Sequence, residues 1–439
     1  MKKNIIAFAQ EKLLCRKMGT GKAMDDPEKL ACLAVRLGLD FRATSWTERE
    51  NERRQVERHM RLCLAATPGF HNMVTISPSE PLLAEAAYKI VEAEKVDMAQ
   101  ALLGHIDSSY LNAGDRGEVI AALLLLLARD KAIGIPHRTN IFPVTSLHNN
   151  GKQDLENDGD RKGRILTVLE FLDALLPAAK NVAVRKQKPY RSPAVLRERK
   201  LEETFKGFYI WFNHFIKVHD FDVVNQQYLW RLILRGAALI CANNHRGIDI
   251  VIPTISGPQL KPECVSAILI QVKNDRSYTA KIRTSLFTGM DPFKVGLFSK
   301  GKKGVPAIIR MVFALASNVP SVTVKESSLS GHNTRSSKER DDNYTSYDIW
   351  VAGATDQSFG VIKSSEISTY AKLLERSCKI FDGYDLIDKA APPSELQKEE
   401  RARARRKMHP GAATKSEHYE NYVLAEDFSV ELGDSDEDV

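Results

Sequence analysis

Apolar residues at Leu30, Leu33, Ala34 and Leu37 recur at the spacing of one helical face, and the charged stretch over 48–65 continues this texture around Met60 and Leu64. The pattern predicts a small helical region over 26–100. It is broken at Thr67-Pro68-Gly69 and at Ser77-Pro78-Ser79-Glu80-Pro81, with helices resuming at 83–94 and 98–104. Val119 to Ala128 form the longest apolar run, well below the ~20 residues that span a bilayer and flanked by Glu118, Arg129 and Asp130, so a buried core helix is expected over 118–132. Helical spacing also marks 165–176, 224–234 and 201–217. In the last of these, Phe205, Phe208, Tyr209, Phe212 and Phe215 make an aromatic stripe of the kind that usually packs a core.

From 237 onwards the texture changes to short β-rich runs: AALICA, IDIVIPT, VSAILIQVK, PAIIRMVFAL, SVTV and YDIWVAG. These predict a mixed sheet, covered by a helix at 366–379. The fold class is therefore α/β. Its expected organisation is a helical region over 1–104, an α/β domain over 105–385 with a large helical insertion at about 135–230, and a disordered, basic-then-acidic tail over 386–439.

Composition narrows the class. With 439 residues and 43% hydrophobic content the chain can bury a proper core. The six cysteines show neither a CxxC pair nor a histidine at zinc-finger spacing, which argues against a disulfide framework or a structural zinc and for a reducing, intracellular setting in nucleus or cytoplasm. Ile5 to Ala9 is too short for a signal sequence, and no membrane association is expected. The net charge of +7 understates the basicity of the folded part, because seven acids and no base fill the last fourteen residues. A polyanionic partner suits that balance.

The candidate chemistry lies on two of the strands. Gly247-Ile248-Asp249-Ile250-Val251-Ile252-Pro253 is followed about twenty residues on by Ile268-Leu269-Ile270-Gln271-Val272-Lys273. Period-2 alternation puts Gln271 and Lys273 on one face and the apolar Ile270 and Val272 on the other. Polar groups on so apolar a strand fit phosphodiester cleavage. Mg²⁺ or Mn²⁺ takes hard oxygen ligands, which Asp249, the Gln271 amide and the Val272 carbonyl would offer, while Lys273 would orient water and offset phosphate charge. The bland alternative is a turn aspartate after Gly247 and a solvent-facing lysine at a strand end.

Asp249 and Gln271-Val272-Lys273 resemble the PD-(D/E)XK, or restriction-endonuclease-like, superfamily in its variant with glutamine before xK. The resemblance implies a mixed sheet flanked by helices and a metal-dependent endonuclease acting on DNA. It further implies a glutamate on the first core helix, for which Glu118, in Asp115-Arg116-Gly117-Glu118, is the match. The same four residues also fit a helix capping box, and about 130 residues separate Glu118 from Asp249.

The wording RGAALICANNHRGIDIVIPT, ILIQVKND and MDPF looks like that of fungal Crinkler-type effector and mobile-element proteins, in which a P-loop ATPase often precedes the nuclease-like part. Here Gly19-Thr20-Gly21-Lys22 is no Walker A loop, since Arg16 and Ala23 stand where glycine and Ser or Thr are needed. A separate ATPase would then be a partner. A catalytically inactive module of the same fold, binding nucleic acid or a host protein, is the alternative function; an ordinary interaction domain with the polar trio dispersed is a third.

Other features carry less. His245 beside Arg246 is either a phosphate contact or, more in keeping with a loop between strands, an exposed histidine, RARARRK at 401–407 either a nuclear import signal or a solvated run, and SKGKKG at 299–304 either a phosphate-tracking loop or a plain turn.

Overall fold

The computed structural model describes residues 2–19, 21–39, 41, 46–66, 73–106, 113–134, 165–177, 201–242, 245, 247–328 and 344–374. The tail expected over 386–439, RARARRK and most of the insertion expected at about 135–230, namely 135–164 and 178–200, lie outside these.

The N-terminal part is built from α1 (Lys2–Leu14), α2 (Asp26–Leu37), α3 (Trp46–Arg58), a hairpin of β1 (Leu62–Ala66) and β2 (Met73–Ile76), α4 (Pro81–Ala93), α5 (Met98–Ile106) and α6 (Ala113–Ile133). Local signals set several bounds. Asp25 and Glu28 form a reciprocal capping box at the start of α2, and Gly38 ends it in the left-handed conformation. The helical pattern over 48–65 gives way earlier than its spacing predicts. Met60 takes a φ of 60°, and Arg61 turns inward to lie 4.1 Å over the Phe41 ring and to donate to Thr75 and the Leu39 carbonyl. Those tertiary contacts release Leu62 onwards into a strand.

The remaining chain forms a mixed sheet with helices on both faces. Its strands are β3 (Leu166–Thr167), β4 (Phe208–Ile210), β5 (His214–Lys217), β6 (Ala237–Ile240), β7 (Ile250–Ser256), β8 (Val265–Lys273), β9 (Ile308–Ala314), β10 (Ser321–Ser328) and β11 (Thr345–Ala352), in the order β10-β11-β9-β8-β7-β4-β3, with β6 also on β7 and β5 on β6. β7 and β8 are antiparallel with Ile250 opposite Ile270, whereas β8, β9 and β11 run parallel. The far edge of β7 is shared: β6 pairs with Ile250 and Val251, and β4 with Thr254 to Ser256. Pro253, which has no N–H to give, stands at the changeover between these two partners.

The helices are α7 (Val168–Leu175), α8 (Gln226–Arg235) and α9 (Thr284–Gly289), with further helical residues at 201–205 and 367–374. The helix expected over 201–217 therefore stops after one turn and is replaced by β4 and β5. Its aromatics still serve the core, since Phe205, Phe208, Phe212 and Phe215 are all buried together. Their helical spacing is satisfied equally by a turn and two short strands, and pairing with β7 and β6 decides between them. β3, α7, β4 and β5 come from the 135–230 stretch expected as an insertion and join the same sheet and core.

One face of the sheet (Ile250, Ile252, Ile268, Ile270, Met311, Phe313) packs against α6, whose Leu123, Leu124 and Leu125 are fully buried, and against α2, α5 and α7. The other (Val251, Leu269, Val312, Trp350) packs against α8 and the segment around Phe287 and Phe293. No helix among the described residues is long and apolar enough to cross a membrane.

Buried charge stitches the helical layer to the sheet. Arg36 of α2 donates through both Nη atoms to Asp130 of α6, each at 2.7 Å; Arg129 donates to Asp130 at 3.0 Å and to Glu85 of α4 at 3.2 Å. Beside them His214 is fully buried, its Nδ1 2.8 Å from Asn213 Oδ1 and its Nε2 2.9 Å from Ser79 Oγ. Asn213 Nδ2 donates to the Pro81 carbonyl, so Asn213 Oδ1 accepts from Nδ1 and Ser79 donates to Nε2, leaving a neutral imidazole. Burial first, then the charges of Arg235 and Arg36, push this histidine down from 6.5 to about 4. Unfolded chain takes up a proton near 6.5 and the fold does not, so His214 is expected to remove about 3 kcal/mol of stability as pH falls from 6.5 to 4. Urea unfolding across that range checks this. A slope unchanged by His214→Gln would contradict it.

Candidate functional site

The site lies at the end of the β7–β8 pair where β7 begins and β8 ends. Gly247 leads into β7 with φ of +85°, and a Cβ there would come within 2.3 Å of the Gly289 carbonyl oxygen, so only glycine lets this turn seat against α9. Two residues later Asp249 joins the ladder by both backbone and side chain. Its N–H donates to the Ile270 carbonyl and its carbonyl accepts from Cys241, each at 2.8 Å, while Oδ2 accepts from the Val272 N–H at 2.6 Å. The carboxylate thus stands where a backbone carbonyl would continue the ladder. Oδ1 makes no hydrogen bond among the described residues.

Gln271 and Lys273 project to the same side as Leu269 and Val251, while Asp249 precedes β7 and holds its carboxylate against the edge of β8 at the Val272 N–H. Gln271 is only 8% exposed, and its Oε1 is enclosed without a hydrogen-bond partner. An amide oxygen left so is costly, by about 1–3 kcal/mol, and calls for a reason. Lys273 is half-buried, with Nζ 5.9 Å from the centre of the Tyr278 ring. Among the described residues no direct ion pair joins it to Asp249, yet its charge is felt there. Burial pushes the Asp249 carboxyl up from 3.8 to about 6, with the Val272 N–H and Lys273 opposing that rise. Val272 contributes its N–H to this arrangement, and it lies in the paired part of β8 opposite Phe313.

Glu118 reaches the same end of the sheet. A Cβ on Gly117 would sit 3.0 Å from Asn274 Cβ and 3.3 Å from Val272 Cγ1, so the first turns of α6 pack directly on the end of β8. The buried Cys241 thiol is pushed well up, by burial first and then by the charges of Asp249 and Glu118. Packing closes the separation of about 130 residues. α6 already begins at Ala113, so Asp115 and Glu118 fall within its first turns and their spacing does not mark the helix start.

Other sequence candidates fall elsewhere. His245 is buried, not exposed: its Nε2 lies 3.1 Å from the Phe221 carbonyl, and its ring stacks on Phe221. The loop 299–304 sits at the opposite end of β8, where Lys302 donates to Gln226 and Gln226 in turn donates to the Val265 carbonyl. Nine residues of strand, roughly 25 Å or more, separate it from Lys273. Gly19 and Gly21 follow helix α1 rather than a strand, which is not the setting of a phosphate-binding loop. The sequence offered a turn at Gly247 only as an alternative to the site, whereas the structure has both, and the enclosed Cys241 beside them carried no sequence signal.

Among the described residues no group of three or more His, Cys, Asp or Glu side chains is placed to hold a metal ion. The oxygens near this end of the sheet belong to the Asp249 carboxylate and the Gln271 amide, with Glu118 on the helix packed against the end of β8. Comparison with family models, with curated proteins and with solved structures finds no match to this chain.

Proposed function

We propose that this protein is a metal-dependent phosphodiesterase of restriction-endonuclease-like fold acting on DNA, with Asp249, Gln271 and Lys273 as its working groups and Glu118 beside them. The observation that carries the reading is the enclosed, partnerless Gln271 Oε1 one residue before the Val272 N–H that holds the Asp249 carboxylate. The Gln271 Oε1 and the Asp249 Oδ1, neither of which has a hydrogen-bond donor among the described residues, suit a hard cation such as Mg²⁺ or Mn²⁺. Asp249 and Gln271 would hold it, with Glu118 and the Val272 carbonyl at hand. When bound, such an ion polarises a phosphoryl oxygen and makes an attacking water more acidic.

The chain's own groups supply the rest. Asp249 is fixed by the Val272 N–H, so its free Oδ1 is presented without side-chain reorganisation. Lys273 Nζ donates to the scissile phosphate, offsets its negative charge and orients the incoming water. Plasmid DNA with Mg²⁺ or Mn²⁺ tests the idea. Cleavage by the native chain that survives both Asp249→Ala and Lys273→Ala would end it.

A second reading keeps the fold and drops the chemistry. The neutral amide at Gln271 leaves fewer negative charges than a pair of strand carboxylates would, which weakens Mg²⁺ binding and favours a module that only binds nucleic acid or a host protein. Calorimetric metal titration separates the two, because a binding module should show no Mg²⁺ or Mn²⁺ site dependent on Asp249.

A further inference from the structure

We propose that the loop 274–283, which leaves β8 directly after Lys273, is the surface that binds the sugar-phosphate backbone of a polynucleotide. The placement rests on the reading of a nucleic-acid substrate above, but the binding it describes needs no metal and no hydrolysis. The loop runs Asn-Asp-Arg-Ser-Tyr-Thr-Ala-Lys-Ile-Arg, and Arg276, Lys281 and Arg283 are all exposed. Among the described residues none of these three, nor Lys273, forms an ion pair.

Several cations elsewhere in the fold are paired. Arg36, Arg129 and Arg310 are each locked on carboxylates, and Lys29, Lys89 and Lys363 have acidic neighbours on their own helical turns. The one acid of the loop, Asp275, accepts from the Ser277 N–H and feels Arg283 only at a distance. With Lys273, the stretch carries four cations against one carboxylate beside the candidate site.

The cations are displayed from a braced loop. The Tyr278 N–H donates to the Asp275 carbonyl at 3.1 Å, Arg283 Nη2 to the Ser277 carbonyl at 2.6 Å, and Trp350 Nε1 of β11 to the Thr279 carbonyl at 3.0 Å. The Arg283 guanidinium lies 4.2 Å over the half-buried Tyr278 ring. A loop held this way loses little conformational freedom on binding. Cations spread along it match a chain of phosphates passing over the surface better than a single enclosed phosphate.

Fluorescence anisotropy of a labelled DNA duplex, the same DNA single-stranded and the same sequence as RNA, in EDTA over a salt series, tests this on the full chain. Arg276→Ala/Lys281→Ala/Arg283→Ala is expected to weaken binding at least about tenfold and to lower the salt slope by roughly 2–3, since each lost phosphate contact removes about 0.7–0.9. Arg276→Glu/Lys281→Glu leaves the Arg283 brace intact and should behave alike, so a misfolded triple variant does not blur the answer. Lys300→Ala/Lys303→Ala, at the far end of β8, should bind as the native chain does. Whichever nucleic acid binds tightest names the source of the backbone. The proposal fails if the native chain binds none of them, if the loop variants bind unchanged, if the Lys300/Lys303 pair loses as much, or if poly-glutamate competes as well as nucleic acid. Loop-dependent binding in a chain that never cleaves would sink the hydrolase reading alone.

Discussion

Asp130→Ala is expected to lower the free energy of unfolding by about 3–5 kcal/mol, the largest effect of any single substitution in the helical layer. Arg36 and Arg129 are each 1% exposed, and Asp130 is the carboxylate that both address, one of them through two hydrogen bonds. Truncating it strands two buried guanidinium groups. Arg129 retains Glu85 and the face of Tyr88, but Arg36 would keep only the Asn213 carbonyl and the more distant Tyr88 ring. Because α2, α4 and α6 meet at this point, the loss should be seen as a lower urea midpoint. A change under about 1 kcal/mol would mean that water enters and solvates the arginines, so that the pair counts no more than a surface one.

Asp249→Asn should act in opposite directions on activity and stability. Asparagine keeps an oxygen for the Val272 N–H and nearly the same volume, but it removes the charge that the proposed metal and water depend on, so DNA cleavage should fall by about a hundredfold or more. Stability should rise by about 1–3 kcal/mol at neutral pH. Burial pushes this carboxyl up to about 6, so the folded chain at pH 7 holds an ionised group that the unfolded chain accommodates more easily. Thermal melts in EDTA measure that term alone. A variant that melts several degrees lower would show the carboxylate to be a structural ladder element first and a working group second.

β6, β7, β8, β9 and β11 were legible because they are buried on both faces and written as largely apolar runs, whereas the edge strand β10 is polar and half-buried; VSAILIQVK spans the very residues of β8. β1, β2, β4 and β5 were not, since strands of three to five residues gain their identity from partners far along the chain. Phe205, Phe208, Phe212 and Phe215 show the difficulty: their burial could be foreseen, their backbone path could not. At the candidate site, alternation sufficed to put Gln271 and Lys273 on one face. That Asp249 takes a carbonyl's place in the ladder depends on the β7–β8 register, and that Glu118 comes to the same end of β8 depends on how α6 docks; no local pattern encodes either.

The seating of Gly117 on Val272 and Asn274 has a kinetic corollary. More than 150 residues of chain must close before that junction exists, whereas the β7–β8 hairpin needs only its own short turn. On refolding, the hairpin with Asp249 and Lys273 would form early and the glutamate of α6 would arrive with the slow, late collapse of the helical layer, so recovery of Glu118-dependent properties should lag behind recovery of sheet structure.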